Sequence, residues 1–431
     1  MKRKFTSYTI ADYLIIKNQV LNFGNKFSTF CFLDNNGYDF KKSYHCIAGA
    51  GAISFVKAEG NPGNLDLKRL DEFKARNEDW IFGHLSYDVK NEIEELFSSN
   101  FDGIQFPEIL FFVPEIVFIF SGNSLDIGVL PTHNADTIFN AIISDVIHED
   151  GKLKIPALKS RYSKKEYVEI VGHLQKHILK GDCYEINFCQ EFYASNASID
   201  PIRVYNNLNF FSPNPFSAFY KYHDRFLMCA SPERFLKKEG NVLISQPIKG
   251  TAKRIPGDEE ADRRQKEALL LNTKERSENI MIVDLVRNDL AKICKEGTVR
   301  VEDFLGVYTF PQVHQMISTI RGVLKEKNTT LSEIFHATFP MGSMTGAPKM
   351  RVMELIEKYE KTKRGLFSGS VGYIDPEENF DFNVVIRSVQ FNSTNKYVSI
   401  IAGSAITHNS DPESEYEECL LKISAMKKAL E

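Results

Sequence analysis

Two acidic pairs and one lysine are the residues whose types and spacing could do chemistry. Glu275 and Glu278 lie three apart, as do Glu415 and Glu418, and Lys422 follows Glu418 by four. Helical residues three and four apart share a side, so each pair would present two carboxylates in one direction. Two such helices facing each other could hold a hard divalent cation. Mg2+ takes oxygen ligands and keeps waters for a substrate carboxylate or phosphate. Solvated acidic faces with Glu–Lys support would give the same spacing. The lysine is Lys249, in Gln246-Pro247-Ile248-Lys249-Gly250-Thr251. The run Val242-Leu243-Ile244 leads into it, and Pro247 and Gly250 bracket it, so it is expected where a strand gives way to a constrained turn. A lysine held there could be a nucleophile; an exposed lysine beside a turn is the plainer alternative.

Glu233, in Ser231-Pro232-Glu233-Arg234-Phe235, precedes Lys249 by 16 residues. Two short strands joined at Gly240-Asn241 fit between them, and such a hairpin could bring the carboxylate near the amine. An acid beside an amine is what acid/base and nucleophilic catalysis need. A surface glutamate paired with Arg234 is the competing reading.

The elements that must position these groups follow from local signals. Ser163-Lys164-Lys165-Glu166 is a capping box, followed by apolar residues at 167, 170, 171, 174 and 178 on one helical face, with Gly181 ending the helix. Cys183 to Phe192 alternates as a strand, with Glu185, Asn187 and Cys189 on one side. Asn272 to Glu275 could cap a helix running to about Ile293, and Ser410-Asp411-Pro412 starts the last acidic helix. Phe339 to Lys349 is a Gly-rich loop opening a helix near Pro348, where backbone N–H groups could meet an anion. Ala402-Gly403-Ser404-Ala405 closes a strand from Tyr397, Arg387 ends a strand-like run from Phe382, and His314 lies in the alternating run Val313 to Ile320. The first 150 residues read as short strands separated by turns, with few helices. His148 to Ser160 reads as a boundary, dividing the chain into an N-terminal region, residues 1–155, and a second region, residues 156–431.

The bulk numbers exclude several classes. At 431 residues, 43% hydrophobic and 26% charged, the chain is an ordinary globular protein. A net charge of −4 gives no reason to expect nucleic acid. Seven scattered cysteines without a CxxC pair suggest neither a disulfide framework nor a zinc knuckle, and fit a reducing cytoplasm. No signal peptide is read. The most apolar run, Ile109 to Phe120, is interrupted by Pro114 and Glu115 and reads as two buried strands rather than a membrane span.

The motifs occur in a familiar order. Ser231-Pro232-Glu233-Arg234-Phe235, Pro247-Ile248-Lys249-Gly250-Thr251, Glu278 followed by Met281-Ile282-Val283-Asp284-Leu285-Val286-Arg287-Asn288-Asp289, Gly342-Ser343-Met344-Thr345-Gly346-Ala347-Pro348-Lys349 and Glu415-Tyr416-Glu417-Glu418-Cys419 resemble those of the chorismate-utilising enzymes. The likeness is strong from about residue 160 onward and weaker before it, where Phe82-Gly83-His84-Leu85-Ser86-Tyr87-Asp88 is similar to the family. It implies an α+β fold, a large two-part sandwich of antiparallel sheets flanked by helices, with the N-terminal region intertwined with the core.

Within the family, lysine at position 249 is the mark of the aminodeoxychorismate synthase component I group; anthranilate synthases typically carry alanine there. Isochorismate and salicylate synthases place a general-base lysine where this chain has Glu185, so addition of water is disfavoured. The resemblance therefore implies chorismate plus ammonia giving 4-amino-4-deoxychorismate. Anthranilate synthase component I, or a non-catalytic binding subunit, are the alternatives. By resemblance, Glu278 and Glu418 coordinate Mg2+, and Glu275 and Glu415 act through its waters. Glu233 is the general acid and then the base. Lys249 attacks the ring as a neutral amine, which requires a buried site and a lowered pKa. Lys422, the backbone of Gly403, Ser404 and Ala405, and Arg387 meet carboxylates. His314, Ser343 and Thr251 match active-site positions. A glutamine amidotransferase subunit is implied as the ammonia source, since no Cys–His glutaminase pattern is present. Phe367 stands where relatives often have Tyr or Trp. Asn214 to Phe219 matches one side of the tryptophan pocket of relatives, while the other side is not recognisable in Phe32 to Asn36.

Overall fold

The computed structural model describes residues 3–38, 44–59, 66–94, 96–145, 157–310 and 313–431. Residues 148–156 of the expected boundary segment, with the division at 155/156, lie outside them. The described strands form two antiparallel sheets, one of 12 strands and one of 10. Helices pack outside them, an α+β sandwich as the resemblance implied.

Both sheets mix early and late strands. In the first, Thr29–Asp34 pairs with Phe216–Tyr222, placing Phe32 against Phe219. In the second, Ile81–Leu85 pairs with Ser370–Ile374, placing Gly83 against Gly372. The run Ile109 to Phe120 does form two strands, Ile109–Val113 and Ile116–Ser121. They belong to different sheets: the first pairs with Ile81–Leu85 and the second with Cys46–Ala50. Pro114 and Glu115 are the corner between sheets, where a proline removes a ladder donor at no cost.

The apolar faces of the two sheets supply the core. One cluster gathers Phe30, Phe32, Phe118, Phe120, Phe219 and Met228 on the first sheet. Another gathers Phe111, Phe235, Phe335, Phe380 and Phe382 with Ile282 and Leu290 of a long helix. Phe367 is buried in that second cluster. The N-terminal region holds more helix than its turn-rich sequence suggests, including Tyr13–Asn25 and Ala135–Ile143. The strand expected over Phe382 to Ile386 spans Phe380–Asn383, so Arg387 stands beyond it at φ +52° in irregular chain.

The helices that carry the acidic pairs form where expected. Ser163 and Glu166 make the reciprocal capping box of Lys164–Leu179. The Asn272 side chain accepts from the Glu275 N–H and starts Thr273–Ile293, and Asp411 caps Pro412–Lys422. Leu33–Asn35 and Pro215–Ser217 line one cavity together, although only the second stretch was recognisable in the sequence as one side of such a pocket.

Candidate active site

Three elements set the lysine. Arg234–Glu239 and Val242–Gln246 form the hairpin around Gly240, and Ile248–Lys253 continues beyond Pro247 along Val313–Val323. Lys249 is therefore not in a turn, as its Pro/Gly neighbours suggested, but inside a strand. The register passes from Ile248↔Ile317 to Thr251↔Gln315, which makes Lys249 and Gly250 a bulge. Bulges re-aim a side chain. Gly250 permits this one with φ +92°; a Cβ there would also lie 3.2 Å from Glu275 Cβ and Oε2.

The bulge turns Lys249 toward the first sheet. Its Nζ lies 2.9 Å from Glu185 Oε1, on the strand Glu185–Ser195, and 3.7 Å from Glu278 Oε2. The Lys249 side chain is 12% exposed and that of Glu185 2%. Burial expectations for Lys249 hold, but the direction of its pKa does not. Burial pulls it down, yet the Glu185 and Glu278 carboxylates outweigh that and hold it above the ordinary lysine value.

One member of each acidic pair is withdrawn from solvent, while Glu275 is partly exposed and the Glu418 side chain is 40% exposed. Glu278 and Glu415 are buried. Lys274 bridges them, 2.9 Å from Glu415 Oε1 and 3.8 Å from Glu278 Oε1. Lys422 lies 2.6 Å from Glu418 Oε1 and donates to the Gly403 carbonyl at 2.8 Å. Burial raises the Glu278 carboxyl to about 7 and raises Glu275. Burial pushes Glu418 up as well, but Lys422 outweighs it and holds Glu418 low. Glu185 Oε2, Glu278 Oε1 and Glu415 Oε2 are buried without a hydrogen-bond partner. Buried carboxylate oxygens need a donor or a cation, so the donor chemistry fits a hard divalent ion. Among the described residues no three His, Cys, Asp or Glu side chains converge as a ready-made cage; the lysines stand among them.

Glu233 is 4% exposed, and Arg234, also buried, pairs with Asp381 at 2.8 Å rather than with Glu233. Burial raises the Glu233 carboxyl from 4.5 to about 7, against the opposing pull of Ser343 and Lys249. Ser343 is buried in the Gly-rich loop, its hydroxyl without a bond of ordinary geometry. The N–H groups of Met344 and Thr345 close onto Met341 and Gly342 within the loop. Helix Lys349–Tyr359 starts at Pro348, as expected.

Other expected site residues stand differently. His314 is buried and meets Asp262 and Thr309, each at 3.1 Å, rather than Lys249 or Glu233. Thr251 is exposed. Gly403, Ser404 and Ala405 pair with Cys189, Phe188 and Asn187 in the sheet, and the Ser404 hydroxyl meets Tyr167 at 3.1 Å. Arg387 donates to the Lys422 carbonyl at 3.3 Å; burial lowers its pKa, opposed by Glu418.

Two groups give little sign in the sequence that they partner the lysine and carboxylates. Glu185 opens a strand that also carries Asn187, Gln190 and Glu191, so its charge alone did not single it out. Lys274 sits four before Glu278. Behind them, Arg364 is 3% exposed. It donates to Glu360, to the Asn187 carbonyl at 2.7 Å and to the Met344 carbonyl at 2.6 Å. Asn187 Nδ2 donates to the Ser343 carbonyl at 3.1 Å. One guanidinium thus ties the Glu185 strand to the Ser343 loop. Replacing Arg364 with Met leaves Glu360 buried without its counter-charge, and is expected to cost about 3–5 kcal/mol, read as a lower urea midpoint.

The sequence profile of the chorismate binding enzymes matches residues 33–428. The chain is 31% identical to aminodeoxychorismate synthase component 1 of Bacillus subtilis over 426 residues, covering 90% of this chain and 89% of that protein. It is also 31% identical to anthranilate synthase component 1 of Saccharolobus solfataricus over 399 residues, covering 91% of each. The crystal structure of anthranilate synthase component I from Streptococcus pneumoniae shares the fold, with a TM-score of 0.77 at 23% identity over 90% of this chain and 93% of that one. The chain belongs to the chorismate binding enzymes and is a chorismate-utilising enzyme. No described helix is long and apolar enough to cross a membrane.

Proposed function

We propose that this enzyme is the synthase component of aminodeoxychorismate synthase, converting chorismate and ammonia into 4-amino-4-deoxychorismate, one step before p-aminobenzoate on the way to folate. The observation that carries the reading is the mostly buried Lys249 at the bulge, among carboxylates, with a second buried carboxyl, Glu233, titrating at about 7. A carboxyl near neutrality can give a proton and take one back. Relatives named aminodeoxychorismate synthase component 1 support it, among them the Bacillus subtilis protein.

In this reading Glu233 protonates the C4 hydroxyl, which leaves as water. Lys249, an ammonium at rest beside Glu185 and Glu278, must first give a proton to a neighbouring carboxylate, taking it back when the lysine is released. The freed amine adds at C2, the ring double bond shifts and a covalent C–N bond forms. Ammonia then adds at C4, Glu233 takes the surplus proton, and the C2–N bond breaks to return the lysine. Glu278 and Glu418 would hold Mg2+, with Glu275 and Glu415 acting through its waters. When bound, Mg2+ would grip the ring carboxylate and withdraw electron density. Arg387 and Lys422 offer positive charge to the substrate carboxylates, with the Gly403–Ala405 backbone beside them. Ser343 lies in the buried loop near Glu233 and has a supporting role; Thr251, exposed, and His314, held by Asp262 and Thr309, would contact substrate only on rearrangement. A glutamine amidotransferase subunit supplies ammonia, as the "component 1" names of relatives suggest. The buried, unpaired cysteines suit the cytoplasm. The N-terminal region and residues 156–431 act as one intertwined unit.

The equal similarity of an anthranilate synthase component 1 keeps one second reading. Incubation with chorismate, Mg2+ and excess ammonium, followed by mass spectrometry, separates the two. Aminodeoxychorismate is expected, together with a chorismate-derived adduct on Lys249. Anthranilate as the product would replace the reading with the second one, and no consumption of chorismate would favour a binding subunit.

A further inference from the structure

Both lysines that reach Glu278 have a nearer carboxylate elsewhere. Lys249 is 3.7 Å from Glu278 but 2.9 Å from Glu185. Lys274 is 3.8 Å from Glu278 but 2.9 Å from Glu415. Glu278 is left 7% exposed, with Oε1 accepting no hydrogen bond and, among the described residues, only the distant Lys274 ammonium beside it. A buried carboxylate among cations normally captures one of them, because an unpaired buried charge is expensive. Here each lysine is drawn aside, and for Lys249 the residue that draws it is Glu185. Glu185 is itself costly, 2% exposed with Oε2 unpartnered. Among the described residues Lys249 is its ion-pair partner. Its placement makes sense as a partner for one lysine.

We propose that Glu185 is a positioning residue that holds the Lys249 amine off Glu278, leaving the Glu278 carboxylate free for a divalent cation. The inference rests on reading the acidic cluster as a cation site. Without a carboxylate at 185, the Lys249 ammonium has Glu278 as its nearest partner and competes there with the metal. Glu185 therefore serves two ends at once: it fixes where the amine stands, and it keeps the cation site open.

Calorimetric titration of the full chain with MgCl2, without substrate, tests this on four proteins: wild type, Glu185→Gln, Lys249→Met and the double variant. Glu185→Gln is expected to weaken Mg2+ binding by about tenfold, the scale of one close buried charge pair. Lys249→Met should strengthen binding by a larger factor in the Glu185→Gln background than in wild type, since only there does the lysine sit on Glu278. Equal factors in both backgrounds would overturn the proposal, because Glu185 would then act only as one more negative charge or as a ligand itself. Unchanged affinity in Glu185→Gln would overturn it too. Either result leaves the cation reading standing, whereas a wild type that binds no Mg2+ removes both. If Glu185→Gln does not fold, Glu185→Asp withdraws the carboxylate by one methylene and should weaken binding in the same direction; no weakening would count against the proposal.

Discussion

Lys249→Ala is expected to abolish formation of 4-amino-4-deoxychorismate and of the protein adduct, lowering turnover by roughly a thousandfold or more, as losing a nucleophile does. The magnitude follows from the geometry. The amine is delivered by a bulge at Gly250, mostly buried, and the other described lysines of the site, Lys274 and Lys422, are engaged by Glu415 and Glu418. Mass spectrometry of product and intact protein reads both effects. A variant that keeps making aminodeoxychorismate at a substantial rate would refute the covalent step. The substitution also leaves Glu185 and Glu278 buried beside each other without their shared cation. It should cost about 3–5 kcal/mol at neutral pH, with stability recovering as the pH falls and the Glu278 carboxyl, already raised by burial, takes up a proton.

Glu233→Gln is expected to lower kcat by about a hundredfold to ten-thousandfold, the usual worth of a general acid and base. The pH profile is the sharper readout. Glu233 titrates at about 7, so wild-type turnover should fall above that pH as the acid form is lost. Glutamine cannot titrate, and the variant's limb near 7 should flatten. Stability responds with a definite sign. The native carboxyl keeps its proton up to about 7, while the unfolded chain releases it near 4.5. Between those values the native state binds more protons, so wild-type stability declines as pH rises, by on the order of 3 kcal/mol from this group. Glu278 is raised for the same reason, burial. Glu233→Gln should therefore reduce the slope of the urea midpoint against pH without removing it. An unchanged slope would contradict the burial of Glu233 as a titrating group.

The sequence was most informative where structure is local. The capping box at Ser163, the cap at Asn272 and the hairpin at Gly240 rest on contacts a few residues apart, and all three form as read. The acidic pairs were legible as pairs, because helical spacing alone puts Glu275 with Glu278 and Glu415 with Glu418. The burial of Glu278 and Glu415 was not, since it depends on how two helices and two sheets close around them. Lys249 misled in a specific way. Pro247 and Gly250 mark a break in regular backbone, which a turn and a bulge share, and only the pairing with Val313–Val323 distinguishes them. Its ion pair with Glu185 joins residues 64 apart on different sheets. No periodicity encodes such a contact. The expected fall in the lysine's pKa failed for the same reason: burial was foreseen, the carboxylate beside it was not.

The corner at Pro114 and Glu115, where the chain leaves one sheet for the other, has a consequence for how the protein is made. Thr29–Asp34 finds its partner Phe216–Tyr222 only after some 180 further residues have been synthesised, and Ile81–Leu85 waits still longer for Ser370–Ile374. Until then the early strands have open edges on both sheets, and unpaired edges invite pairing with other chains. Long-range pairing of this kind folds slowly. A nascent or truncated chain ending near the middle of the sequence should be aggregation-prone and dependent on chaperones, and the protein should become self-sufficient only once its last strands have emerged.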